Sequence, residues 1–414
     1  MRTYASGIGK DAIRSNNMHA VLECIYHNAP ISRRDIAKKV NLTSATITLL
    51  VSDLIQYGVL RECGETAEGI RAGRRIVQLD FNPDFGYTLG ICLEAPSVSM
   101  VLSYFCGRSM KESFVIDKYD TEIMSDEGFM ENLVQLAANF LQRQQNLKGS
   151  LRAIGISMPG HVDPISGISL NSYGIFPPRT NVAKTFEQRF GVPAFLDNNV
   201  RALAQAELLT PSQGTVNGLF VKQDPGFGCT VLLNGEVFEG AAFSSGEIGH
   251  AQIVNNGRRC ICGKTGCLST VVSTQALIRS AQDVLSPNTT PALWSACGGC
   301  AEAITVRDIV KSAEAGDHPI IVMLEEAAVL MERILESSLL LMDGDTVITF
   351  GSIFEGTWFS NRLQACFDHS FGEFRQIRVI PSGLAHADRW KGAVAVAQRK
   401  SLIPISSIIC ENQQ

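Results

Sequence analysis

The run GEIGHAQIVNNGRRCICGKTGCLS holds the most concentrated chemistry in this 414-residue chain. His250, Cys260, Cys262 and Cys267 stand there in a His-x9-Cys-x-Cys-x4-Cys spacing with glycines between them. Three thiolates and one imidazole satisfy the tetrahedral preference of zinc. Four protein ligands leave no open position for a substrate, so the spacing predicts one structural zinc per chain. The intervening glycines allow a loop to close tightly around such an ion. Cys297 and Cys300 form a separate Cys-x-x-Cys, but no second pair accompanies them, and they read as loop thiols without a metal.

Composition sets the frame for that site. The chain is 45% apolar and 19% charged, which fits a globular protein with ample material to bury. A working figure of roughly 150 residues per domain gives two or three domains. No run approaches the ~18 uninterrupted apolar residues of a membrane span. The opening MRTYASGIGKDAIRSNN has no apolar core of a secretory signal. The expectation is a cytoplasmic protein with no membrane partner, in which clustered cysteines bind metal rather than form disulfides. The net charge of −5 hides an asymmetry. Residues 1–80 hold 11 Lys/Arg against 8 Asp/Glu, a local +3, and the remaining 334 residues carry −8. A small basic module joined to an acidic body is implied.

Within the basic module, Met18, Val21, Leu22 and Ile25 are spaced for one face of a helix. After Asn28-Ala29-Pro30, Ser32 and Asp35 predict a capped short helix whose Ile36, Ala37 and Val40 face inward. The turn Asn41-Leu42-Thr43 leads to a second helix with the stripe Ile47, Leu50, Val51, Leu54 and Ile55, stopped at Gly58. This is helix-turn-helix spacing with the last helix as the reader. Its outward N-terminal residues Ser44, Ala45, Thr46, Thr48 and Leu49 are short enough to enter a major groove. VLRECGE and RRIVQLD read as two strands around a glycine-rich loop carrying Arg71, Arg74 and Arg75, a wing suited to phosphate or minor-groove contact. Ser32 and Asp53 read as caps or surface groups, and Arg33 and Arg34 are open to either role. The competing reading is a three-helix adaptor that binds protein.

From Phe85 the pattern changes. GYTLGICLEA, SVSMVLSYFC and ESFVIDKYD are three strand candidates in succession, followed by a helix at about 126–146, the strand LRAIGISMPG, a helix at about 181–190 and the strand PAFLDN. The order partly recurs in NGLFVKQ, CTVLL and EVFEG, the last two joined by the hairpin signal Asn234-Gly235. A long helix at 318–342 and the strand DTVITFG come later. Two related α/β lobes with a cleft between them are predicted.

The zinc run with its GEIGH lead resembles the ROK family (repressors, open reading frames and sugar kinases). SMPGHVDPISG, LDNNVRALAQAE and GAVAVA resemble further segments of that family, so the likeness spans about 85–400. AGRRIVQLDFNP resembles the end of the wing in its DNA-binding members. The resemblance implies an N-terminal winged helix-turn-helix at 1–80, then a two-lobed body at 81–414 with the ribonuclease-H-like fold of the sugar kinase and actin group. Lobe 1 would span about 81–196 plus the C-terminal helix, and lobe 2 about 197–385. It also implies that Asn198, Asn199, Glu247 and His250 hold a sugar, with Asn171 and Arg179 candidates for the same cleft.

Departures from the kinases point away from catalysis. Where they carry Asp-x-Gly-Gly-Thr around the phosphates, this chain has Cys92-Leu93-Glu94-Ala95-Pro96. The position of their catalytic aspartate is Asn199, whose amide binds a hydroxyl but cannot act as a base at neutral pH. Gly226-Phe227-Gly228 keeps part of a second phosphate loop, and Phe350-Gly351-Ser352 replaces three nucleotide-binding glycines. Ser269 stands where the family often has glutamate. The expectation is a homodimeric or homotetrameric regulator, a repressor, that binds a double-stranded operator and responds to a sugar-type effector. The alternatives are a ROK sugar kinase with an added DNA-binding domain and a regulator whose body senses a protein.

Overall fold

The computed structural model describes residues 10–66, 76–94, 97–105, 113–120, 128–144, 147–209 and 216–411. They form two compact units, one of residues 1–202 with 390–414 and one of residues 203–389. The division falls after Ala202 and before Trp390, so Asp197 to Arg201 belong with the first unit rather than the second.

The first unit begins with the helix Lys10–Asn28, which buries Met18, Val21, Leu22 and Ile25 completely. The helix Arg33–Val40 starts at Ser32, whose hydroxyl oxygen accepts the Asp35 N–H while the hydroxyl itself donates to Asp35 Oδ2. Asp35 returns its bond to that hydroxyl, where a full capping box would use the Ser32 backbone N–H. Asn41 ends the helix at φ 54°, and Thr43 caps the helix Ser44–Gln56. Ile47, Leu50, Val51 and Leu54 of that last helix face the core. The strands Leu60–Thr66 and Ile76–Phe81 pair antiparallel, and Ile31–Ser32 adds a third strand beside the latter. Arg71, Arg74 and Arg75, predicted at the wing tip, lie outside the described residues.

The body of this unit is a five-stranded sheet in the order Ala194–Asn198, Ser150–Met158, Gly86–Glu94, Ser97–Tyr104, Ser113–Asp120. The first three run parallel and the last three antiparallel. Strand alternation divides the packing between two faces. Leu89, Ile91 and Leu93 pack with the helices Phe129–Gln142 and Val182–Phe190. On the opposite face, Cys92 and Val101 meet Ala393 and Val394 of the C-terminal helix Lys391–Glu411. That helix can approach because Gly90 and Gly155 pair across neighbouring strands. A Cβ on Gly155 would lie 2.1 Å from the Ala393 carbonyl oxygen, and one on Gly90 2.8 Å from Val394. Lys391–Cys410 is long and apolar enough to cross a membrane by length and composition, yet it is mostly buried here as a core helix.

The C-terminal helix also packs on the first helix of the chain, where Arg399 Nε lies 3.4 Å from Glu23 Oε1. Phe81 of the wing sheet meets Phe105 edge-on at 5.5 Å. The winged-helix module is therefore seated on the body by packing as well as by the chain.

The second unit carries the sheet Glu236–Phe238, Phe227–Leu233, Gly218–Gln223, Thr346–Gly351, Arg378–Pro381. Read from first strand to fifth in chain order, both sheets have the order three-two-one-four-five, with the first three antiparallel and the fourth parallel to the first. The recurring pattern in the sequence is thus one topology used twice, that of the ribonuclease-H group. Leu219, Val221 and Val347 pack with Leu324 and Leu335 of the helix His318–Met342 and with Phe359 and Leu363 of Trp358–Phe371.

Candidate functional site

The metal-binding run folds as a tight loop after the 3-10 turn Glu247–His250. Short antiparallel bridges, Gln252 with Cys267 and Arg259 with Thr265, fold it back on itself. Gly266 permits the close approach: it has φ 71°, and a Cβ there would lie 1.9 Å from the Val254 carbonyl oxygen. His250, Cys260, Cys262 and Cys267 each present one ligand atom, and all four atoms lie within 4.8 Å of one another. Cys262 Sγ is 3.7 Å from Cys267 Sγ, and His250 Nδ1 is 3.4 Å from Cys260 Sγ. Zn–S bonds of about 2.3 Å in a tetrahedron place sulfurs about 3.8 Å apart, so the spacing fits such an ion. Burial, then the neighbouring thiols Cys262 and Cys260, push the Cys267 thiol up to about 12. A bound cation would favour the deprotonated form of all three thiols. The cluster can hold a metal ion.

Around the cluster, Ser269 donates its hydroxyl to the Gly249 carbonyl at 2.7 Å, and Lys264 Nζ donates to the His250 carbonyl at 2.9 Å. His250 Nε2 sits 3.7 Å from Glu247 Oε2. With Nδ1 turned to the thiols, that carboxylate is placed to orient the other edge of the ring. Cys297 is buried with its thiol toward the Trp294 carbonyl, and Cys300 is exposed beside Glu302.

Asn198 and Asn199 lie in the first unit, at the end of the strand Ala194–Asn198 and the start of the helix Asn199–Glu207. Asn198 caps that helix: its Oδ1 accepts the Val200 and Arg201 N–H groups, and its amide donates to the Gly160 carbonyl at 2.9 Å. Asn199 is half-buried and donates its amide to Glu94 Oε1 at 2.8 Å. The preceding Asp197 is completely buried, 2.8 Å from Arg201 Nε and 3.7 Å from Lys400 Nζ. Burial pushes its carboxyl up, but Lys400 and Arg201 outweigh this and hold it below the usual value. Asn171 and Arg179 are exposed, and Asn171 Oδ1 accepts the Tyr173 N–H.

Sequence reasoning missed a network at the partial phosphate loop of the second unit. Asp224 receives His386 Nε2 at 2.7 Å, the Thr274 hydroxyl at 2.8 Å and the Arg389 guanidinium. Burial raises its carboxyl, yet His386, Arg389 and Thr274 together hold it far below the usual range. Glu207, also missed as an anchor, is fully buried and accepts the Gly383 N–H at 3.0 Å and the Ser382 hydroxyl. Thr274 lies 50 residues from Asp224 and the other partners more than 150 residues away in sequence, so no local signal announces either network.

On the reading helix Ser44–Gln56, Ser44, Ala45, Thr48 and Leu49 are exposed, and Thr46 is half-buried with its hydroxyl 2.9 Å from Thr43 Oγ1. Thr48 donates to the Ser44 carbonyl. Asp53 is paired with Arg14 at 2.6 Å, and Arg33 with Glu62 at 2.8 Å, so these charges brace the module.

Residues 112–400 match the ROK family. The chain belongs to the ROK family. Residues 14–61 of this ROK protein match the winged helix-turn-helix DNA-binding family. It is 28% identical over 277 residues to the xylose repressor of Bacillus subtilis (strain 168), covering 65% of this chain and 69% of that protein. Against the DNA-binding transcriptional dual regulator NagC of Escherichia coli (strain K12) it is 26% identical over 396 residues, 95% of this chain and 94% of the relative. Among solved structures, a ROK family transcriptional regulator described as a homologue of the E. coli MLC protein overlays with a TM-score of 0.79 at 23% identity, over 96% of this chain and 99% of the other. A ROK family glucokinase from Streptomyces griseus gives a TM-score of 0.65 at 22% identity, over 75% of this chain and 99% of the kinase. These structural likenesses establish the fold. This ROK protein thus joins a winged helix-turn-helix DNA-binding module to a ROK body.

Proposed function

We propose that this chain represses transcription in the cytoplasm by binding operator DNA through its winged helix, releases or adjusts that grip when its body takes a sugar or sugar derivative, and transfers no phosphate. The observation that carries this reading is the winged helix-turn-helix at 14–61 joined to a ROK body with Asn199 in place of a catalytic carboxylate. Ser44, Ala45, Thr46 and Thr48 would meet base edges or phosphates, and Arg71 and Arg74 would meet phosphates or the minor groove. A homodimer or homotetramer would set two such modules on a near-palindromic site. Asn198, Asn199, Glu247 and His250 would bind the sugar.

Several features support the loss of phosphotransfer. An amide at 199 cannot take the hydroxyl proton. Glu94 stands where kinases offer backbone donors to phosphate. His386 and Arg389, groups that could meet an anion near the second loop, are engaged with Asp224. The metal cluster reads as one structural zinc per chain, bound by His250, Cys260, Cys262 and Cys267, which would hold the GEIGH turn in place.

The test combines DNA and nucleotide. Full-length protein should bind a fragment of its own upstream region, and a sugar that raises its melting temperature should change that affinity. ATP–Mg should neither stabilise the protein nor be consumed with any hexose, N-acetylhexosamine or pentose. Turnover abolished by Asn199→Ala would restore the kinase reading.

A further inference from the structure

Glu94, only 6% exposed, ends the strand Gly86–Glu94, and its Oε1 accepts the Asn199 amide at 2.8 Å. A carboxylate only accepts hydrogen bonds, so the nitrogen of the Asn199 side chain must be the end that faces it. The carbonyl oxygen of that amide then points away from Glu94, on a residue that is half-buried. The two residues are 105 positions apart and lie on separate elements, so the fold itself brings them together.

We propose that Glu94 is a positioning residue that sets the ligand class of the sugar site. By fixing the Asn199 amide with its oxygen turned away, it selects a free hydroxyl and rejects the phosphate ester of the same hydroxyl. The proposal rests on the reading of Asn199 as a sugar-binding residue. A hydroxyl donates to the presented oxygen as it would to the aspartate of a kinase, without being deprotonated. A phosphate ester has given up that hydrogen, carries about two negative charges and meets two acceptors, Asn199 Oδ1 and the Glu94 carboxylate. Both the hydrogen-bond pattern and the charge oppose it. A site built to pair with a hydroxyl discriminates strongly against a group that cannot donate, because its own polar atoms are then left unpaired. The effector is thus an unphosphorylated sugar, the form that precedes a phosphorylating step and not its product.

The experiment uses full-length protein and titration calorimetry with glucose, xylose and N-acetylglucosamine, each beside its terminal phosphate. At least one free sugar should bind more than about tenfold tighter than its own phosphate. In Glu94→Gln, whose amide can donate as well as accept, Asn199 is free to turn over, and this preference should shrink to within about threefold while zinc content and far-UV dichroism hold. Asn199→Ser, which removes the oriented amide, should shrink it equally and serves if Glu94→Gln does not fold. A phosphate that binds more tightly than its parent sugar overturns the role of Glu94 and leaves the sugar reading standing. An unchanged preference in folded Glu94→Gln also overturns it. If neither form of any sugar binds, the sugar reading fails and the proposal falls with it.

Discussion

Arg399 and Glu23, 376 residues apart, meet at 3.4 Å and join the C-terminal helix to the first helix of the winged-helix module. The next residue, Lys400, sets its ammonium 3.7 Å from Asp197, which directly precedes Asn198 and Asn199. Two consecutive residues of one helix therefore touch the DNA-reading module and the strand end that carries two proposed sugar ligands. Burial raises the Glu23 carboxyl, but His27, Arg399 and His19 outweigh it and hold it below its ordinary value.

Arg399→Ala should separate ligand binding from its effect on DNA. The pair is about a quarter exposed, so its loss should cost no more than about 1 kcal/mol of stability. Sugar affinity should be retained, while the change in operator affinity on adding a stabilising sugar should fall severalfold. Operator titrations with and without that sugar check this. An unchanged ligand effect would show that the helix is only a support.

Purified protein should carry about one zinc per chain, read by elemental analysis. Cys262→Ser should lose the metal and lower the melting temperature, because binding energy in such a site is folding energy. A metal-free protein of full stability would remove the structural role.

DNA binding should weaken steeply with salt as phosphate contacts release counterions. Arg74→Ala and Arg71→Ala should lower affinity on every sequence and flatten the salt slope by about one each. Thr46→Ala should instead shift preference among operator variants, by about 1–3 kcal/mol if a base contact is lost. Its hydroxyl also meets Thr43, so a melting curve of the variant separates a lost cap partner from a lost contact.

The buried ions around Asp197 give a pH signature. Asp197→Asn leaves Arg201 and Lys400 without their carboxylate, at a cost of about 3–5 kcal/mol at neutral pH. The folded carboxyl lies below its unfolded value of about 4, so its contribution is complete above that value and is lost as the pH falls from there through the lower folded value. Urea midpoints of the parent and Asp197→Asn should therefore differ widely at pH 7, and the gap should narrow as the pH falls below about 4. A gap that stayed constant would mean Asp197 is not the charged partner.

Local patterns made much of this legible in the sequence. Met18, Val21, Leu22 and Ile25 repeat at helical spacing and all four are buried. Cys260, Cys262 and Cys267 lie within eight residues, so their joint chemistry needs no knowledge of the fold. Glu94 illustrates the limit. Its charge was plain as a departure from a phosphate loop, but its bond to Asn199 depends on how strands 105 positions apart are ordered in one sheet. Asp224 and Glu207 went unread for the same reason. The repeated sheet order was visible only as a recurrence of apolar runs, since alternation marks a strand but does not name its neighbour.

The return of Lys391–Glu411 to the first unit has a consequence for how the molecule is made. The winged-helix module leaves the ribosome before the body, yet the helix that covers the Gly90–Gly155 face and holds Glu23 follows the whole second unit. Contacts of such long sequence separation form late. A growing chain has its DNA-reading helices early and the support for them only when both sheets of the body have been translated. The order of synthesis thus delays a fully seated reading head until the rest of the body exists.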